Sequence, residues 1–275
     1  MSGPIDLPPL ASWGPTRDTL HQVARVLGSW RARHHPKAKH WWHITLRVTA
    51  AGLSTGPVPF EAESVEATLD LVDHSVSLCS SAGWRSSVPF QGHTQATFVE
   101  AFAAALVDGG AAPVAGTFEK CKGETTLAYD AADAVAYRRT LVWLDGVFKT
   151  FQGGLREETS PVQVFPHHFD LAMNWFSGRL VPGKDPADEE ASDEQMNFGF
   201  VTGDGAIPEA YVYATAYPTP DHFTDLALVE GARWQTQGWT GAVLPFAAIQ
   251  QADDPRGCLL TFLRSLRAHG AKLMQ

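Results

Sequence analysis

Apolar residues recur every three or four positions in four stretches of the chain, which is the spacing of one helix face. Residues that cap helix N-termini, such as Thr94, Asp130 and Asp254, stand at the start of three of these stretches. Glycine, the commonest residue just after a helix, stands at the end of two of them, and Gly153–Gly154 weaken the end of the third. These signals predict helices from Thr16 or Asp18 towards His34, from Thr94 to Gly109, from Asp130 to Leu155 and from Asp254 to Gly270.

Between the helices, apolar and polar residues alternate over short stretches, as in strands with one buried face. The clearest examples are residues 44–49, 65–71, 168–174 and 210–217. Residues 72–75 and 81–84 resemble hairpin turns, which join antiparallel strands. The two patterns together predict an α+β fold with antiparallel sheets and helices packed on one face.

The order of predicted elements occurs twice along the chain. His43–Leu46 matches His168–Leu171, and Val88–Phe90 matches Leu244–Phe246. We infer an internal duplication whose two pseudo-equivalent halves pack about a twofold axis, as two subunits do. The predicted organisation is an N-terminal extension at 1–15, a first half at 16–112, a linker at 113–129 and a second half at 130–275 with an acidic insertion at 183–195.

Composition narrows the class of protein. The net charge is −9, which argues against nucleic acid as a partner because phosphate backbones need basic patches. No apolar run approaches the roughly 18 residues of a membrane span, and residues 1–15 lack the features of a signal peptide. The three cysteines show no C-x-x-C spacing, which suits free thiols in a reducing compartment. We therefore expect a cytoplasmic protein that binds neither nucleic acid nor a membrane.

A site is expected where the polar faces of equivalent strands meet, because buried polar groups need each other or a ligand as partners. There His43 and His168 would converge, and either could act as general acid–base. Asp170 would orient the imidazole, and Arg47 or Arg179 would hold an anion, since the planar guanidinium fits carboxylate or phosphate.

Further side chains would line this site. Thr45 and Asn174 lie on the same polar faces, and Trp41 and Trp42 would wall the entrance. Tyr213 belongs to a tyrosine stripe of the kind that also lines ligand pockets. We expect a small, anionic or metal-associated ligand between the halves, but the sequence identifies no cofactor.

Each of these features has a plainer explanation. A single histidine is more often a hydrogen-bonded structural group than a catalyst, and a tyrosine stripe is more often sheet surface or core. A metal held by His43, His168 and Asp170 is the weakest alternative, because no recognised ligand spacing supports it. The rival function is a non-catalytic protein–protein interaction or homodimerisation module whose aromatic residues form the contact surface.

Four long segments also resemble a known family. They are HWWHITLRVTAAGLSTGPVP, DLVDH, SPVQVFPHHFDLAMNWFSGR and YVYATAYPTP. Together they are similar to the bacterial domain-of-unknown-function family numbered 5996, over nearly the whole chain. The chain departs from the family pattern at Asn174–Trp175, where Thr-Arg is usual. The resemblance implies no activity, because the family has no catalytic assignment.

Overall fold

Two units make up the chain in the computed structural model, which describes residues 5–60 and 63–274. One unit comprises Met1–Val142 and Gln163–Phe169, and the other comprises Trp143–Val162 and Asp170–Gln275. Both contain antiparallel strands and helices, which confirms the predicted α+β class. The internal duplication stays a prediction. Within the described ranges, no helix combines the length and apolar character needed to cross a membrane.

The first unit is built on one antiparallel sheet. Its strands lie in the order β1–β2–β4–β5–β6, and β3 also pairs with β4. The elements are α1 (Leu10–His34), β1 (Arg47–Val48), β2 (Gly52–Ser54), β3 (Val58–Phe60), β4 (Glu63–Asp70), β5 (Ser75–Ser80), β6 (Arg85–Pro89), α2 (Gln95–Asp108), the start of α3 (Ala131–Gln152), and β7 (Gln163–Phe165).

Helix α1 carries the core of the first unit. Trp30 is fully buried, stacks on Phe60 at 5.9 Å and meets Phe102 of α2 edge-on at 5.7 Å. The predicted start at Thr16 or Asp18 is wrong, because α1 begins at Leu10 and contains Pro15. The additional turns bury Trp13 against Tyr137, with ring centroids 5.5 Å apart. Burial of a large aromatic side chain offsets the cost of a proline one turn inside the helix.

The second unit is also built on an antiparallel sheet, with strands in the order β11–β12–β10–β9–β8. Helix α6 packs on β9 and β10, and α5 packs on β10 and β12. Besides the end of α3, the elements are β8 (Asp170–Leu180), α4 (Glu189–Ser192), β9 (Asp193–Val201), β10 (Tyr211–Tyr217), β11 (Arg233–Gln235), β12 (Gly241–Pro245), α5 (Phe246–Gln251) and α6 (Pro255–Leu273).

Helix α6 continues past Gly270, which was predicted to end it, as far as Leu273. A Cβ at residue 270 would lie 2.4 Å from the sulfur of Met196 in β9. Glycine therefore stands here because helix and sheet approach closely, and it does not serve as a helix end.

Two predicted strands begin later in the structure than expected. Residues Lys39–Ile44 form a 3₁₀ helix, and the strand expected at 44–49 is reduced to Arg47–Val48. The strand expected at 168–174 begins only at Asp170, because Phe169 takes a left-handed conformation with φ 58° and closes a turn onto the Phe165 carbonyl. His43 and His168 thus lie on a short helix and a turn, and the prediction that both sit on strand faces is wrong.

Candidate anion site in the first unit

A buried arginine on α1 is the starting point. Arg31 is 4% exposed and donates a hydrogen bond to the Thr45 carbonyl, but no carboxylate within the described ranges pairs with it. Burial and, to a smaller extent, the charge of Arg47 together lower the pKa of its guanidinium to about 10. The group remains a cation at neutral pH. Buried charges are normally paired, because removing an ion from water is costly.

A second guanidinium lies near the first, also without a counter-ion among the described residues. Arg47 is exposed on β1, opposite Ser54 of β2. A Cβ on Gly56 would lie 3.7 Å from its Nη1, so the guanidinium sits over the turn that follows β2. Arg47 forms no ion pair with any residue that the structure describes. Two like charges brought together in this way favour a bound anion.

Thr45 connects the cations to a buried amide. Its hydroxyl lies 2.7 Å from the Trp42 carbonyl and 2.7 Å from Oε1 of Gln163, which follows it by 118 residues. Gln163 is only 4% exposed, and the other end of its amide has no hydrogen-bond partner among the described residues. A buried amide group that lacks a partner costs about 1–3 kcal/mol, so a ligand atom here would be stabilising.

His43 completes the group of unsatisfied polar atoms. It is 5% exposed, and its Nδ1 is buried with no hydrogen-bond partner in the described part of the chain. Burial lowers the pKa of His43, and the Ala38 backbone opposes that shift while the charges of His35, Arg31 and Lys37 add to it. The imidazole is therefore neutral at pH 7 and can donate or accept one hydrogen bond there.

Trp42 closes the same segment. The ammonium group of Lys39 lies 5.3 Å from the centre of its ring. Four of the predicted site residues therefore lie in the same unit as Arg31: Trp42, Thr45, Arg47 and His43. This arrangement of guanidinium, amide and imidazole groups suits an oxyanion such as phosphate or a carboxylate.

His168 belongs to the first unit but makes different contacts. Its ring meets that of His167 at 4.5 Å, and both side chains are exposed. No ring contact or hydrogen bond between His43 and His168 is found in the described residues. The catalytic role of His168, and its orientation by Asp170, stay predictions.

The remaining predicted residues lie in the second unit, where each already has a protein partner. Asp170 accepts a hydrogen bond of 2.7 Å from the Tyr213 hydroxyl. Burial raises the pKa of Tyr213, and the negative charge of Asp170 adds to that shift. The Asn174 amide bonds to Gln195 and Asn197. These contacts give three of the predicted side chains, Asp170 and Asn174 of β8 and Tyr213 of β10, hydrogen-bond partners within the protein.

Arg179 lines a cleft of about 410 Å³ in the second unit. Its guanidinium pairs with Glu194 at 2.7 Å, and Arg267 in the same cleft pairs with Glu157. Both of these arginines have a carboxylate counter-ion that compensates their charge, whereas the described residues supply none to Arg31.

Sequence reasoning missed Arg31 and Gln163. Arg31 follows Leu27 by four residues and therefore continues the buried stripe of α1, which is a signal that the sequence contains. Gln163 offers no such signal, since its contact with Thr45 depends on tertiary structure.

Residues Gly52–Gly56 also match the G-x-S-x-G pattern of hydrolase nucleophiles. In that motif the serine stands on a turn between a strand and a helix, whereas here the next element is strand β3. The Ser54 hydroxyl donates to Glu66 at 2.5 Å and accepts from the Gly56 backbone at 2.7 Å. Ser54 is therefore a buried residue at the end of β2, and among the described residues its hydroxyl bonds a carboxylate and a backbone amide, not a histidine base.

No three His, Cys, Asp or Glu side chains in the described ranges are placed to hold a metal ion. No curated protein and no solved structure matches the chain. A family model, described as a family of unknown function, matches residues 6–275. The chain therefore belongs to the family of unknown function DUF5996.

Proposed function

We propose that this protein binds a small oxyanion in the first unit, between Arg31, Arg47, His43 and Gln163. The observation that carries the proposal is the buried Arg31 cation, which has no carboxylate partner among the described residues. Such a charge is costly unless an anion compensates it, and the neighbouring Arg47 adds to the attraction.

The ligand would be held by hydrogen bonds from the side chains of this group. Its oxygens would accept from the two guanidinium groups and from the free end of the Gln163 amide. His43 would contribute one hydrogen bond in its neutral form and is the residue of the site best suited to exchange a proton with the ligand. Acid–base catalysis by His43 would be a second property of the same site and needs a substrate to be tested.

Calorimetric titration with inorganic phosphate at constant ionic strength tests the proposal. Wild-type protein should bind phosphate with saturation, and the Arg31→Met variant should lose binding at least tenfold, because the cation is removed while the side-chain volume is nearly kept. Arg33→Met is the matched control, since Arg33 lies two residues further on the same helix with its side chain exposed.

Equal affinity of the Arg31→Met and Arg33→Met variants, or no saturable phosphate binding by the wild type, would overturn the proposal. Phosphate-independent loss of a dimer in the Arg31→Met variant would instead favour the interaction module.

A further inference from the structure

The 3₁₀ helix beside the anion site exposes the aromatic ring of Trp41 to solvent. His40 and Trp41 both have left-handed backbone angles, with φ 48° and 59°. This conformation costs about 1–2 kcal/mol per residue for side chains other than glycine. Trp41 is nevertheless 50% exposed, so burial of its ring does not explain the cost. Strained backbone of this kind is found most often where a side chain is positioned for function.

Trp41 is directly connected to the site. Its ring stacks on that of His43, with centroids 5.6 Å apart and planes inclined by 24°. His43 in turn lies close enough to Arg31 for that charge to lower its pKa. The ring of Trp41 is therefore next to the proposed anion site and still offers about half of its surface to solvent.

We infer that the ligand is an oxyanion attached to a flat, unsaturated ring, which stacks on the exposed part of Trp41. The inference rests on the proposed function, because the anion site places the ring. The backbone of residues 40–41 fixes the indole before the ligand arrives, which reduces the entropy lost on binding. Stacking between aromatic rings gives such a ligand an advantage over an anion of equal charge without a ring.

Comparison of phenyl phosphate with methyl phosphate tests the inference, since both carry the same charged group. The wild type should bind phenyl phosphate about five- to tenfold more tightly. The Trp41→Ala variant should lose that preference. It should keep its affinity for methyl phosphate, which would show that the 3₁₀ helix and the anion site are intact. Trp41→Phe should retain most of the preference.

The outcomes separate the two proposals. If neither compound binds the wild type, the anion site itself is refuted. If both bind the wild type equally, or if Trp41→Ala keeps the preference for phenyl phosphate, only the stacking inference fails. A lower native mass of Trp41→Ala would place Trp41 in a contact between copies and would also overturn it.

Discussion

At the scale of single residues, polar side chains differ in whether the protein already satisfies them. Asp170, Asn174 and Arg179 have protein partners, whereas Arg31 and Gln163 retain buried atoms without a hydrogen-bond partner in the described residues. The sequence could predict which residue types were available for a site. It could not show which would remain unsatisfied, because that depends on which side chains the fold brings together, as it does Thr45 and Gln163, 118 residues apart.

The hydrogen bond between Tyr213 and Asp170 gives a prediction for the second unit. Tyr213→Phe removes a donor from a buried carboxylate and should lower the free energy of unfolding by about 1.5–3 kcal/mol. Tyr217→Phe is the control, because its hydroxyl bonds a neutral carbonyl at 3.2 Å and should cost about 0.5–1 kcal/mol. Urea unfolding measures both, and equal losses would show that the Asp170 contact has no special weight.

His167 gives a prediction for pH dependence. Although the residue is exposed, desolvation of its ring and the charges of His168 and His21 together lower its pKa to about 4. Between pH 6.5 and 4, His167 is therefore protonated in the unfolded chain but not in the folded one. The free energy of unfolding should fall as the pH falls through this range. His167→Asn should flatten the curve of unfolding free energy against pH, and an unchanged slope would refute the shift.

At the scale of elements, helix starts were predicted more successfully than helix ends or strands. Thr94 caps α2 with a reciprocal pair of hydrogen bonds to Thr97, and Asp254 caps α6, as local sequence suggested. The errors at α1, α6 and residues 44–49 have tertiary causes. For α1 the cause is burial of Trp13, and for α6 it is the close approach of Gly270 to Met196. For residues 44–49 it is the hydrogen bond from Arg31 to the Thr45 carbonyl.

The packing of α1 gives a prediction at this scale. A Cβ at Gly28 would lie 2.3 Å from Cγ of Pro166, so Gly28→Ala should destabilise the protein by about 1–3 kcal/mol. Gly146→Ala is the control, since nothing lies within 4 Å of a Cβ there, and alanine should stabilise α3 by about 0.5–1 kcal/mol. Thermal unfolding checks the opposite signs, and a stable Gly28→Ala variant would contradict the close contact.

At the scale of the whole molecule, charge is distributed unevenly. The chain carries a net charge of −9, yet the residues around Thr45 concentrate cations: Arg31, Lys37, Lys39 and Arg47. The net charge of the chain does not reveal this local excess of cations, because it sums over all 275 residues. The α+β class and the family followed from patterns spread along the chain, whereas the site depends on how α1, the 3₁₀ helix and β7 come together.

Under the proposed function, the protein keeps Arg31 as a buried cation for an anionic ligand. The most direct test is the free energy of unfolding of wild type and Arg31→Met, with and without phosphate at constant ionic strength. Without phosphate, the variant should be at least as stable as wild type, because an uncompensated buried charge has been removed. With phosphate at about ten times its Kd, wild type alone should gain about 1.4 kcal/mol. A phosphate-free variant destabilised by about 3 kcal/mol, with an unchanged response to phosphate, would show that Arg31 is structural.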